Sequence, residues 1–113
     1  MVSHPVPADL LQQVLHALQQ EAARHLDTPP HICADGLHWQ AVADPFSGNI
    51  GQHGTWRDAR GQYLGCFYLN GDGSLLAEYD LMCPSSRQPT QFLEMVRVWG
   101  NAQQLRAEGV VMV

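Results

Sequence analysis

Apolar residues recur at intervals of three and four along the first part of the chain. The set comprises Leu10, Leu11, Val14, Leu15, Leu18, Ala22 and Leu26. This spacing is typical of an amphipathic helix with one buried stripe. Pro7 suits a first helical turn, and the prolines at 29 and 30 end the helix. The sequence therefore predicts a helix from about Ala8 to Leu26, preceded by a flexible N-terminus over residues 1–7.

From Leu37 the apolar pattern changes to alternation, which predicts strands. The first strand begins at Leu37, the second spans Ile50 to Arg57, the third Gln62 to Leu69 and the fourth Ser74 to Met82. The connections are too short for parallel crossovers, so neighbouring strands are expected to pair antiparallel. The sequence predicts a four-stranded meander.

Two connections share the pattern Asx-x-x-Gly. They are Asp58-Ala59-Arg60-Gly61 and Asn70-Gly71-Asp72-Gly73. A type I turn with a final left-handed glycine bulge fits both. This turn type sets Asp58 opposite Gln62 and Asn70 opposite Ser74, whereas a plain two-residue loop would exchange the two faces of the strand concerned.

That register predicts two unlike sheet faces. The core face would hold Tyr63, Phe67, Leu69, Leu75, Ala77, Tyr79 and Leu81, with His53 and Arg57 on the same side of the second strand. The second face would hold Ile50, Gln52, Trp56, Leu64, Cys66, Tyr68, Leu76, Glu78 and Asp80. The second face is half apolar, so it is expected to be covered by a helix, a partner or a ligand.

Apolar residues after Pro89 again follow a helical spacing, including Phe92, Met95, Val96 and Trp99. We therefore expect a second helix over Thr90 to Glu108, and a short fifth strand or an apolar tail over Val110 to Val113. The predicted fold is a single α+β domain over residues 1–113, in the order α-β-β-β-β-α.

Charge and composition narrow the function classes. The chain has eleven acidic residues against six bases, all of them arginine, and a net charge of −5. This balance disfavours nucleic acid, and the absence of lysine excludes Schiff-base chemistry. No apolar run reaches the roughly 20 residues of a membrane helix, and no secretory signal is evident. A cytoplasmic protein of a GC-rich bacterium is expected.

Possible metal ligands are scattered. The cysteines Cys33, Cys66 and Cys83 have no C-x-x-C spacing, and His31, His38 and His53 follow no ligand pattern. The segment around Asn70 resembles an EF-hand loop only in its middle, because tyrosines stand where carboxylates are needed. The sequence predicts no metal and no cofactor.

The second sheet face carries the functional prediction. Trp56 and Tyr68 are typical anchors of protein interfaces, which favours a non-enzymatic interaction module of the adaptor, chaperone or inhibitor type. It would act as a homodimer or with a partner protein. The alternative is a small-molecule-binding protein or an enzyme that uses Glu78 and Asp80, with Cys66 nearby, or His53 and Arg57. No residue is assigned as catalytic.

Overall fold

A computed structural model describes residues 5–112, which form one helix and six strands. The elements are α1 (Ala8–His25), β1 (Leu37–Ala43), β2 (Ile50–Arg57), β3 (Tyr63–Leu69), β4 (Leu75–Pro84), β5 (Phe92–Gly100) and β6 (Leu105–Met112). The strands lie in one sheet in sequence order, and every neighbouring pair is antiparallel.

The predicted second helix is wrong, and with it the α-β-β-β-β-α fold. The segment forms β5 and β6 instead. A register irregularity between Leu93 and Met95 breaks the alternation of β5, and the resulting spacing imitates that of a helix. Beyond it Val96 and Val98 are fully buried at alternate positions, as in a strand.

A turn over residues 101–104 connects β5 to β6. The Asn101 side chain accepts hydrogen bonds from the backbone N–H groups of Gln103 and Gln104, at 2.9 and 3.0 Å. This Asx turn lies within the segment that the sequence predicted to be helical. The predicted C-terminal segment belongs to β6 as far as Met112, and Val113 lies outside the described residues.

Both Asx-x-x-Gly turns are confirmed. The Gly61 N–H donates to the Asp58 carbonyl and the Asp58 N–H donates to the Gln62 carbonyl, each at 2.9 Å. The turn at residues 70–74 repeats both bonds. Gly61 and Gly73 have φ of +80° and +92°, a region that favours glycine. The turns therefore set the ends of these hairpins as predicted.

Helix α1 packs on one face of the sheet, over β4, β5 and β6. Its buried stripe meets rows of directly opposed sheet residues, among which Phe67, Ala77 and Val98 are fully buried. Of the segment predicted to be flexible, residues 1–4 lie outside the described residues, whereas Val6 is only 3% exposed within the core.

Trp56 lies in this core, so its predicted position on the second face is wrong. A register shift between Trp56 and Arg57 pairs Trp56 with Gly65 and Arg57 with Tyr63, leaving Leu64 as an extra residue. The Trp56 side chain is 1% exposed, and its Nε1–H donates to the Cys33 carbonyl at 2.8 Å. Because of this bulge, each residue of β2 lies on the sheet face opposite to the one predicted.

The same bulge also changes the sheet faces of other residues from those predicted. Leu64 packs against the core, whereas Tyr63 lies on the opposite side with Arg57. His53 pairs with Tyr68, which places it on that side too. Gln52 pairs with Leu69 and therefore lies on the helix side.

Candidate functional site: the open sheet face

The sheet face opposite α1 is the candidate site, and we call it the open face. Two complete rows of opposed residues cross it. The first contains Gln40, His53, Tyr68, Leu76, Trp99 and Arg106; the second contains His38, Thr55, Cys66, Glu78, Arg97 and Glu108. Since opposed residues in antiparallel strands point the same way, each row lies on one face.

The open face collects six of the seven predicted site residues. They are His53, Arg57, Cys66, Tyr68, Glu78 and Asp80. The two sets that the sequence placed on opposite faces therefore share one face. Trp56 alone lies elsewhere, in the core.

Aromatic side chains occupy the middle of the open face. Tyr68 is 36% exposed, and the His53 ring lies 4.5 Å from the Tyr68 ring between centroids. Leu76 separates Tyr68 from Trp99 along the row, and the Arg97 guanidinium lies 5.5 Å from the centroid of the Trp99 ring. This cation–π contact covers part of the indole.

Cys66 interacts with two tyrosines and is only 5% exposed. A hydrogen bond with the Cys66 side chain is the main cause that raises the pKa of Tyr68. Burial, and next the Cys66 side chain, raise the pKa of Tyr63 well above its usual range. Both phenols are protonated at neutral pH, as an ordinary tyrosine is, and can act as hydrogen-bond donors; the raised pKa values extend that state to more alkaline pH.

Acidic groups of the open face lie on β4, β5 and β6. Burial, and next the charge of Glu94, raise the pKa of Asp80. Glu108 accepts a hydrogen bond from Arg97 Nε at 2.5 Å. Glu78 lies opposite Arg97 in the ladder. This half of the face is therefore rich in carboxylates.

The other half, on β1, β2 and β3, contains a groove of about 330 Å³. Its lining includes His38, Gln40, His53, Thr55, Arg57 and Tyr68. The groove brings the predicted pair His53 and Arg57 together, whereas Glu78 and Asp80 do not line it.

Sequence reasoning missed several residues of this face. Trp99 was assigned to a second helix, and His38 was considered only as a scattered metal ligand. Arg97 was not singled out. One sequence signal could have found this strand. Val96 and Val98 are β-branched residues at alternate positions, which favours a strand, and both are buried in β5.

The described part of the chain contains no cluster of side chains suited to bind a metal ion. Among residues 5–112, no group of three or more His, Cys, Asp or Glu side chains is placed to hold a metal ion. The EF-hand-like residues form the turn between β3 and β4, where Asp72 accepts hydrogen bonds from the backbone and hydroxyl of Ser74.

Comparisons of the chain with protein-family models, with curated proteins and with solved structures found no match. Within residues 5–112, no helix has the length and apolar character needed to cross a membrane.

Proposed function

We propose that this protein is a non-catalytic interaction module that associates with a second copy of itself through the open face. The observation that supports this most directly is the row of Tyr68, Leu76 and Trp99 on the face that α1 does not cover. Partly exposed aromatic and aliphatic side chains at the centre of a face, with charged residues around them, resemble the arrangement of protein interfaces.

The charge distribution favours a second copy as the occupant. Arg57 and the imidazoles of His38 and His53 lie on β1 and β2, whereas carboxylates such as Glu78 and Glu108 lie on β4 and β6. We place the two open faces against each other, related by a two-fold axis that runs parallel to the strands between β3 and β4. In this arrangement β1 of one copy lies over β6 of the other. The half that carries Arg57 then faces the half that carries Glu78, Asp80 and Glu108, with Arg97 and Arg106 also in that second half, so the charge complementarity is partial.

This axis also pairs suitable side chains. Tyr68 stacks on Leu76 of the second copy, and Thr55 lies over Arg97 of the second copy. His38 faces Glu108 of the second copy at the rim. An apolar centre with polar pairs around it supports a self-complementary contact.

The area of the face is sufficient for a specific dimer. Six strands spaced about 4.8 Å apart span about 24 Å, and seven residues of a strand span about 23 Å. The footprint is therefore about 550 Å² for each copy and about 1,100 Å² for two, above the roughly 1,000 Å² expected of a biological interface.

Sedimentation velocity tests the proposal. The wild-type protein is expected to sediment as a dimer at micromolar concentration, and Leu76→Arg, which places a charge at the centre, is expected to sediment as a monomer. Gln13→Arg on the exposed side of α1 is the matched control and should stay dimeric. A monomeric wild type, or a dimeric Leu76→Arg variant, would contradict the proposal.

A second candidate function is the binding of a small molecule. One observation favours it, namely that His53 and Arg57 line the same groove.

A further inference from the structure

We propose that the groove on β1, β2 and β3 is a binding site for a small oxyanion, either a carboxylate or a phosphate. Three side chains that can carry positive charge converge on it: His38, His53 and Arg57. No carboxylate is among its lining residues. Arg57 is the permanent cation of this group in a chain whose net charge is −5 with its histidines neutral.

The groove also offers neutral hydrogen-bond donors. Gln40, Thr55 and Tyr68, whose side chains can donate hydrogen bonds, are among its lining residues. The Tyr68 phenol is protonated at neutral pH, and its raised pKa extends that state to more alkaline pH. An imidazole donates a hydrogen bond from a ring nitrogen in either protonation state. The lining therefore presents donors of several kinds to one ligand.

Arg57 is held in position at the end of the groove. Its Nη1 donates to the Gly61 carbonyl at 3.0 Å, which ties the guanidinium to the turn that follows β2. A guanidinium has five N–H donors, so others remain for a ligand. Bidentate contact with a carboxylate or phosphate is the geometry this group prefers.

Glu78 is a carboxylate close to the groove. In the second row only Cys66 lies between Glu78 and Thr55, which lines the groove. The charge of Glu78 also contributes to the raised pKa of Tyr68, after the effects of Cys66 and of burial. An oxyanion bound beside Tyr68 is therefore repelled by Glu78, and the hydrogen-bond donors and Arg57 have to outweigh this repulsion.

The groove and the proposed dimer share one surface. The proposed oxyanion site is formed by residues of one copy and does not require the dimer. If the dimer also forms, Glu108 of the second copy faces His38, and a free oxyanion then competes with that carboxylate. This competition rests on the proposed function, so binding is best measured on a variant that cannot dimerise.

Titration of the Trp99→Ala variant with inorganic phosphate, and separately with acetate, tests the site. Ionic strength is held constant with sodium chloride, and the His38 and His53 imidazole resonances are followed by NMR. Saturable shifts with either ion are expected, and the ion that saturates identifies the ligand as phosphate or carboxylate. Adding Arg57→Gln should weaken binding about tenfold, the loss expected for one charge-assisted hydrogen bond.

Arg60→Gln, in the neighbouring turn, is the matched control and should leave the affinity unchanged. Linear, unsaturated responses to both ions, or saturable binding that Arg57→Gln does not weaken, would overturn the site. Saturable binding together with a monomeric wild type refutes the dimer and leaves the site intact. A dimeric wild type without oxyanion binding refutes the site alone.

Discussion

Trp56 lies directly opposite Gly65 in the β2–β3 ladder, and its ring meets the Tyr79 ring edge-on at 5.5 Å between centroids. Gly65 has no side chain to fill the space between these two rings. A Cβ at Gly65 would also lie 2.2 Å from the Glu78 carbonyl oxygen, so the close strand contact needs glycine. This relationship accompanies the bulge at Leu64 and decides which side chains reach the open face.

Trp56→Phe is expected to destabilise the fold without changing self-association. The substitution removes the indole N–H that donates to the partly buried Cys33 carbonyl, at an expected loss of about 1–3 kcal/mol in the free energy of unfolding. Urea denaturation measures the loss. Phe46→Leu, at an aromatic residue that is 98% exposed, is the control and should change stability by less than about 0.5 kcal/mol. A Trp56→Phe variant that keeps its stability but loses self-association would contradict the core assignment.

Gly109→Ala is expected to weaken the docking of α1. A Cβ at this position would lie 2.6 Å from His25 Nε2, which itself contacts Glu21 Oε1 at 3.1 Å. Overpacking of this kind costs about 1–3 kcal/mol. Thermal unfolding of a double-mutant cycle with His25→Ala checks the mechanism, because removing the imidazole should recover part of the loss. Strictly additive effects would show that the two residues do not collide.

Asp80→Asn is expected to stabilise the protein at pH 7. The folded state raises the pKa of Asp80 through burial and the charge of Glu94, so folding favours the protonated form. The contribution of Asp80 is therefore most favourable below its unfolded pKa of about 3.9 and is lost as the pH rises through its folded pKa. The gain at pH 7 should be within about 0.5 kcal/mol, because the group is only partly buried and water screens its charge, and should vanish at pH 3.

Urea unfolding at pH 7 and pH 3 measures this difference. Glu94→Gln serves as a check on the second cause and should lower the pKa of Asp80 in an NMR titration. A stabilisation by Asp80→Asn that is equal at both pH values would contradict the assignment to ionisation.

Local signals allowed part of the fold to be predicted. The amphipathic stripe of α1, the alternation of four strands and the glycine bulges at Gly61 and Gly73 each depend on a few neighbouring residues. The bulge at Leu64 depends on how Trp56 packs against Gly65 from another strand, and the sequence carries only a weak hint of it in a mid-strand glycine. A one-residue error there moved His53, Arg57 and Trp56 to the wrong faces.

The second helix was mispredicted for a similar reason. The irregularity between Leu93 and Met95 gives an interrupted strand the spacing of an amphipathic helix. Trp99, at the centre of the open face, was therefore out of reach of sequence reasoning. Cys66, Tyr68, Glu78 and Asp80 were placed together correctly because they lie beside the turn that set their register.

Chemical cross-linking tests the face-to-face dimer most directly. Facing Cα atoms of stacked sheets lie about 10 Å apart, beyond the roughly 7 Å that a disulfide allows, so a short bismaleimide is used to join cysteine thiols across the interface. Within one copy Thr55 and Arg97 lie three strand spacings apart, about 14 Å, whereas in the proposed dimer each faces the other across the two-fold axis. The pair Thr55→Cys and Arg97→Cys is introduced with Cys33, Cys66 and Cys83 replaced by alanine, and Thr55→Cys with Gln13→Cys is the control.

Treatment of the first pair with the short bismaleimide should give a covalent dimer on a denaturing gel, and the control pair should stay monomeric. A folded Thr55→Cys/Arg97→Cys protein that remains monomeric after cross-linking would contradict association through the open face.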